Sequence, residues 1–200
     1  MKTLNQGWVK AAAVVAMALG ASIAQAHTGH GTSSVMEGLA HPFGLDHLLA
    51  MVAVGVWSVS ALPAPKVWMG PVTFLLALVA SAVLGASGFD VPYLEHAISL
   101  NVVAFGLMLV FAHRGFPATL GLGLVALAAS LHGLAHGAEA PESGFTGYAA
   151  GFLFTTAVLH LSGVATGLGI RRFLSNHKRW VTSALGAAMG GAGVYLLQQL

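Results

Sequence analysis

From residue 42 onward the chain alternates between runs of about twenty apolar residues and short polar or proline-bearing breaks. A run of that length, at about 1.5 Å per residue in a helix, is enough to cross a hydrocarbon core about 30 Å thick. Six membrane-spanning helices are therefore predicted, at approximately 42–62, 67–87, 92–112, 117–137, 146–170 and 178–198. The breaks hold Pro63 and Pro65, Ser87 to Val91, His113 to Pro117, Gly137 to Ser143 and Arg171 to His177, and none has room for a soluble domain. The expected fold class is all-α, a polytopic six-helix transmembrane bundle.

The first segment has a different pattern. Lys2 and Lys10 make a basic stretch, Ala11 to Ala21 an apolar core, and Ala24-Gln25-Ala26 a small-x-small cleavage site, so 1–26 reads as a signal peptide. Residues 27–41 then form a short periplasmic N-terminal segment and 42–200 the transmembrane domain. Basic residues give the orientation, because cytoplasmic loops collect Lys and Arg. Lys66, Arg114, and the group Arg171, Arg172, Lys178 and Arg179 fall in or beside the first, third and fifth breaks, whereas Asp90, Glu139 and Glu142 fall in the second and fourth. Both mature termini are thus expected in the periplasm.

Composition agrees with a membrane protein and narrows the chemistry. Charged residues make up 7% of the chain and hydrophobic ones 56%, with a mean hydropathy of +0.81, where a soluble domain carries about 25% charged residues. The net charge of +2 follows from topology, and nucleic-acid binding is not expected. Cysteine is absent, which excludes disulfides, iron–sulfur clusters and thiolate zinc sites. No phosphate-binding loop motif occurs, so the chain is not read as an ATPase. The 26 glycines suit close helix packing or a homo-oligomer contact and specify no substrate.

Against this apolar background the polar groups stand out. An ionisable side chain in a membrane helix costs at least about 2.5–3.5 kcal/mol, so its default reading is a functional site with a partner. Pro42 suits the first position of span one and is expected to hold His41 extended just outside it. Asp46 and His47 then lie about 6–8 Å below the outer mouth, with Met51 one turn beyond His47 on the same face. His132 and His136 share a face near the outer end of span four, Glu139 lies just above them, and Glu95 and His96 sit one turn into span three. Three spans thus bring imidazoles and carboxylates to one level, the pattern of a site for a divalent metal ion. His160, deeper in span five with Thr155, Thr156, Ser162 and Thr166 nearby, reads as a relay or second position. His27 and His30, beside the free amine of the mature chain, read either as metal collectors or as plain polar sequence. Duller readings stand beside these: Glu95 equally caps its helix, Met51 reads first as core packing, and His113 and His177 read as polar loop residues.

The run His41-Pro42-Phe43-Gly44-Leu45-Asp46-His47, followed by Met51, resembles the signature of the HupE/UreJ family of nickel permeases, which accompany bacterial hydrogenases and ureases. The resemblance extends to the signal peptide, the six spans and the histidines of spans four and five. It implies secondary transport of Ni²⁺ across the inner membrane toward hydrogenase or urease maturation, with His41, Asp46 and His47 as the functional positions and no enzymatic activity. The donor types alone also suit Co²⁺ and Zn²⁺. Since a ligating imidazole must be neutral, uptake is expected to fall as pH drops through about 6.5. The competing class is an intramembrane hydrolase, either metal-dependent or built on Ser87 in Gly85-Ala86-Ser87-Gly88, which matches the rhomboid nucleophile pattern.

Overall fold

The computed structural model describes residues 34–141 and 144–200; the expected signal peptide, His27, His30 and Glu142 lie outside the described residues. The described chain is all-helical. Its helices are α1 (Ser34–Ala40), α2 (Leu45–Ala61), α3 (Met69–Ala86), α4 (Leu94–Phe111), α5 (Ala118–Ala138), α6 (Phe145–Phe173) and α7 (Lys178–Leu197), with 3-10 turns at His41–Phe43 and Ala64–Lys66. Five of them, α3 with its preceding turn and α4 to α7, are long and apolar enough to cross a membrane, with mean hydropathy between 1.3 and 2.1. α2 meets that test only together with α1, from which it is bent by 74°; counted as one broken span, the pair raises the number to six.

The bend arises where Pro42 and Gly44 interrupt the helix. Ala40 keeps helical angles (φ −81°, ψ −31°), whereas Gly44 turns extended (φ −51°, ψ 140°) and caps α2. His41 consequently opens the 3-10 turn instead of standing in the extended lead-in expected from Pro42, because the α1 helix runs directly up to it. At the other end Leu62 (ψ 151°) leaves the helix just before Pro63, whose ring disfavours a helical predecessor.

The close pairings are α1 with α6, α2 with α6, α3 with α5 and α4 with α7. From α2 onward, each of these joins one of the first three long helices to one of the last three. Small residues make the crossings possible. A β-carbon on Gly106 would lie 2.6 Å from the Gly186 carbonyl oxygen, and one on Gly137 would meet the backbone of Ala82 and Ala86. Around the central α2, the side chains of Met51, Trp57, Phe74, Leu78 and Leu109 are fully buried. Large apolar side chains face outward instead, among them Leu76 at 67% exposure, Val83 at 66% and Leu161 at 64%. An apolar girdle outside a well-packed interior suits lipid, not water.

Candidate metal centre

The Pro42–Gly44 break carries His41, Asp46 and His47 to the start of α2, and the last two turns of α5 bring His132 and His136 to the same place. His47 is held by its neighbour, with Nδ1 2.8 Å from the Asp46 carboxylate. A neutral imidazole whose Nδ1–H is given to a carboxylate presents its Nε2 lone pair, the arrangement that orients metal-ligating histidines. The Nε2 of His47 meets the Nε2 of His136 head to head. Ring centroids then run 4.6 Å from His41 to His136, 4.4 Å from His136 to His47 and 4.8 Å from His47 to His132. Two overlapping groups, His41/His47/His136 and Asp46/His47/His132, each keep one ligand atom per residue within 4.8 Å of the others. His47, His132 and His136 are buried and His41 half-buried.

The surroundings are aromatic and acidic. Tyr148 and Phe152 of α6 pack on His41 at 5.8 Å and 5.9 Å, and Phe152 lies 4.6 Å from His136. The carboxylate of Glu139, which ends α5, stands 4.0 Å from His41 Nε2. Glu139 also lines an open cavity of ≈ 530 Å³ with Asp90, Glu95, His96 and Tyr93. Tyr93, in the left-handed region at φ 59°, caps α4 and presents its ring edge-on to His96 at 5.7 Å.

The structure thus brings together His41, Asp46, His47, His132 and His136, and places Glu95 and His96, both exposed, in the adjoining cavity. Met51 is fully buried among the apolar side chains of the core. His160 is also fully buried, with Nδ1–H donating to the Thr156 carbonyl at 2.8 Å, and the Phe74 ring packs on both it and His132, at 4.8 Å and 5.9 Å. Of the hydroxyls near His160, Ser162 and Thr166 are exposed on the outer face of α6, while Thr155 and Thr156 are buried. Ser87 stands exposed at the end of α3, its hydroxyl donating to the Leu84 carbonyl at 2.6 Å. At the opposite end of the bundle, burial and then Lys178 and Arg179 lower the pKa of His113 from 6.5.

Phe74, Tyr148 and Phe152 were not legible as site residues, because an aromatic in an apolar span has no distinguishing pattern. Glu139 was visible just above His136, yet its reach to His41 depends on how α2 and α5 pack.

Comparison with known proteins decides the family. The profile described as HupE / UreJ protein matches residues 15–196. The chain belongs to the HupE/UreJ family. Its curated relative "Protein HupE" from Rhizobium leguminosarum bv. viciae is 42% identical over 178 residues, which cover 88% of this chain and 91% of that protein. No solved structure matches. For this HupE/UreJ member, the matched region contains every described histidine and carboxylate of the centre.

Proposed function

We propose that this protein is a permease that carries Ni²⁺ across the bacterial inner membrane into the cytoplasm, supplying hydrogenase or urease maturation, with His41, Asp46, His47, His132 and His136 as the ion's entrance site. The observation that carries the reading is the convergence of four imidazoles and one carboxylate, from two helices distant in sequence, at one buried end of an otherwise apolar bundle. Membership of the HupE/UreJ family supports nickel as the cargo. Imidazole and carboxylate are donors that also suit Co²⁺ and Zn²⁺, so these compete at the same groups.

In this account the cavity of Asp90, Glu95, His96 and Glu139 concentrates cations by its charge. An arriving ion would be held by the Nε2 lone pairs of His47 and, with the His136 proton moved to its unpartnered Nδ1, of His136, while Asp46 offsets its charge and holds the His47 ring. The positive-inside distribution of Lys66, Arg114, Arg171 and Arg172 supports placing the centre on the periplasmic side, with both mature termini there. His27 and His30 would then stand on the same side, positioned to collect metal. Met51, one turn beyond His47, contributes packing.

Cellular Ni²⁺ accumulation tests the proposal. Asp46→Asn and His47→Ala variants, expressed at the wild-type level, should lose uptake; wild-type accumulation by both would overturn it.

A further inference from the structure

Among the described residues, the buried polar atoms without a hydrogen-bond partner include three at and below the inner edge of the entrance site, on His132, His160 and Thr156. His132 and His160 each give Nδ1–H to the carbonyl four residues earlier, Ala128 at 2.9 Å and Thr156 at 2.8 Å. In a neutral ring that bond leaves the lone pair on Nε2, and among the described residues neither Nε2 has a partner. The Thr156 hydroxyl is likewise unpartnered. His132, His160 and Thr156 all have 0% exposure. Buried polar atoms are nearly always paired, and an exception calls for a water, an ion or a function. Two imidazoles fixed in the same tautomer by the same backbone bond, with the ligating nitrogen left open in both, are prepared for a cation.

Depth separates His160 and Thr156 from the entrance, of which His132 is a part. A β-carbon on Gly55, eight residues beyond His47 in α2, would lie against the His160 carbonyl oxygen, so His160 stands about 12 Å below His47. Phe74, with 0% exposure, packs on both His132 and His160.

We propose a second, deeper cation position formed by His160 Nε2 and the Thr156 hydroxyl, which exchanges its ion with the entrance site through His132 past the Phe74 ring. It rests on the transport reading for its purpose, but its existence is a separate matter of binding. The donors are one neutral imidazole and a hydroxyl, with no carboxylate of the kind Asp46 supplies above. Such a set suits borderline cations such as Ni²⁺ and Co²⁺ over Mg²⁺ or Ca²⁺, and holds them more weakly than the entrance site. Weak holding is what an inner position needs, since an ion must leave it to complete passage.

The test uses the purified full chain in nanodiscs with Co²⁺ alone as probe, reading its visible absorption and stoichiometry. In a His41→Ala/His47→Ala/His136→Ala background, a residual Co²⁺ site should remain, weaker than in wild type. Adding His160→Gln, which preserves bulk and polarity, should abolish it, and adding Thr156→Val instead should weaken it. A background without residual Co²⁺ absorption, or one whose absorption survives His160→Gln, overturns the inner position. Ni²⁺ flux in the same preparations reports separately on the transport reading: absent flux in wild type with the residual site present would reject transport and leave the inner position standing.

Discussion

Gly137 and Gly123 lie on the same helix, and the structure assigns opposite signs to the same substitution at each. A β-carbon on Gly137 would sit 2.8 Å from the Ala86 nitrogen and 2.8 Å from the Ala82 carbonyl carbon, both backbone atoms of α3 that no side-chain rotation can move. The Ala82 carbonyl oxygen lies closer still, so restoring ordinary contact near 3.5 Å requires α3 and α5 to part by at least about 1 Å. Overpacking of this kind costs about 1–3 kcal/mol. Because Gly137 follows His136 directly, the same shift displaces the entrance site, and about 1 Å of misplacement in a positioned site costs on the order of a hundredfold in rate. Gly123 has nothing within 4 Å of its added carbon, so Gly123→Ala removes only glycine's conformational freedom and should stabilise by about 0.5–1 kcal/mol. Thermal unfolding in detergent and Ni²⁺ uptake, measured on both variants, should therefore separate: Gly137→Ala less stable and strongly impaired, Gly123→Ala equal or more stable and active. Equal behaviour of the two, or an intact site in Gly137→Ala, would refute the backbone-contact argument.

Other expectations follow from single contacts. Asp46→Asn keeps the size of the side chain but loses the charge that orients His47, and should weaken Ni²⁺ binding about 10–100-fold by equilibrium dialysis. Glu139→Gln removes a carboxylate shared by His41 and the cavity, and should slow uptake most at low ionic strength, an effect that added salt erases. His113 is held below its ordinary pKa of 6.5 by burial beside Lys178 and Arg179, so the unfolded chain binds the extra proton first. Stability should thus fall as pH drops below 6.5, and His113→Asn should flatten that fall in melting curves between pH 7.5 and 5.5.

How far the sequence carried depends on what each inference required. Helix bounds came within a few residues of expectation, since the span at 92–112 is α4 (Leu94–Phe111) and that at 117–137 is α5 (Ala118–Ala138). Apolar length and proline or glycine breaks determine such limits locally. The meeting of His47 with His132 and His136 was also anticipated, because helix rise fixes depth. Depth does not fix direction around the bundle, which is why Glu95 and His96 share the level yet face the neighbouring cavity. The α1 helix and its bend were missed: seven residues ending at Ala40 are too short for apolar periodicity to reveal. Ser162 and Thr166 carried a usable signal, since offsets of two and six from His160 place them on the opposite face of a helix with 3.6 residues per turn.

The most direct measurement of the central claim is Ni²⁺ flux into proteoliposomes containing the purified chain, with and without a pH gradient, compared with His47→Ala and with Co²⁺ and Zn²⁺. Protein-dependent Ni²⁺ entry that disappears in His47→Ala is the predicted result. Liposomes no more permeable to Ni²⁺ than protein-free vesicles, or a His47→Ala variant that transports at the wild-type rate, would contradict it.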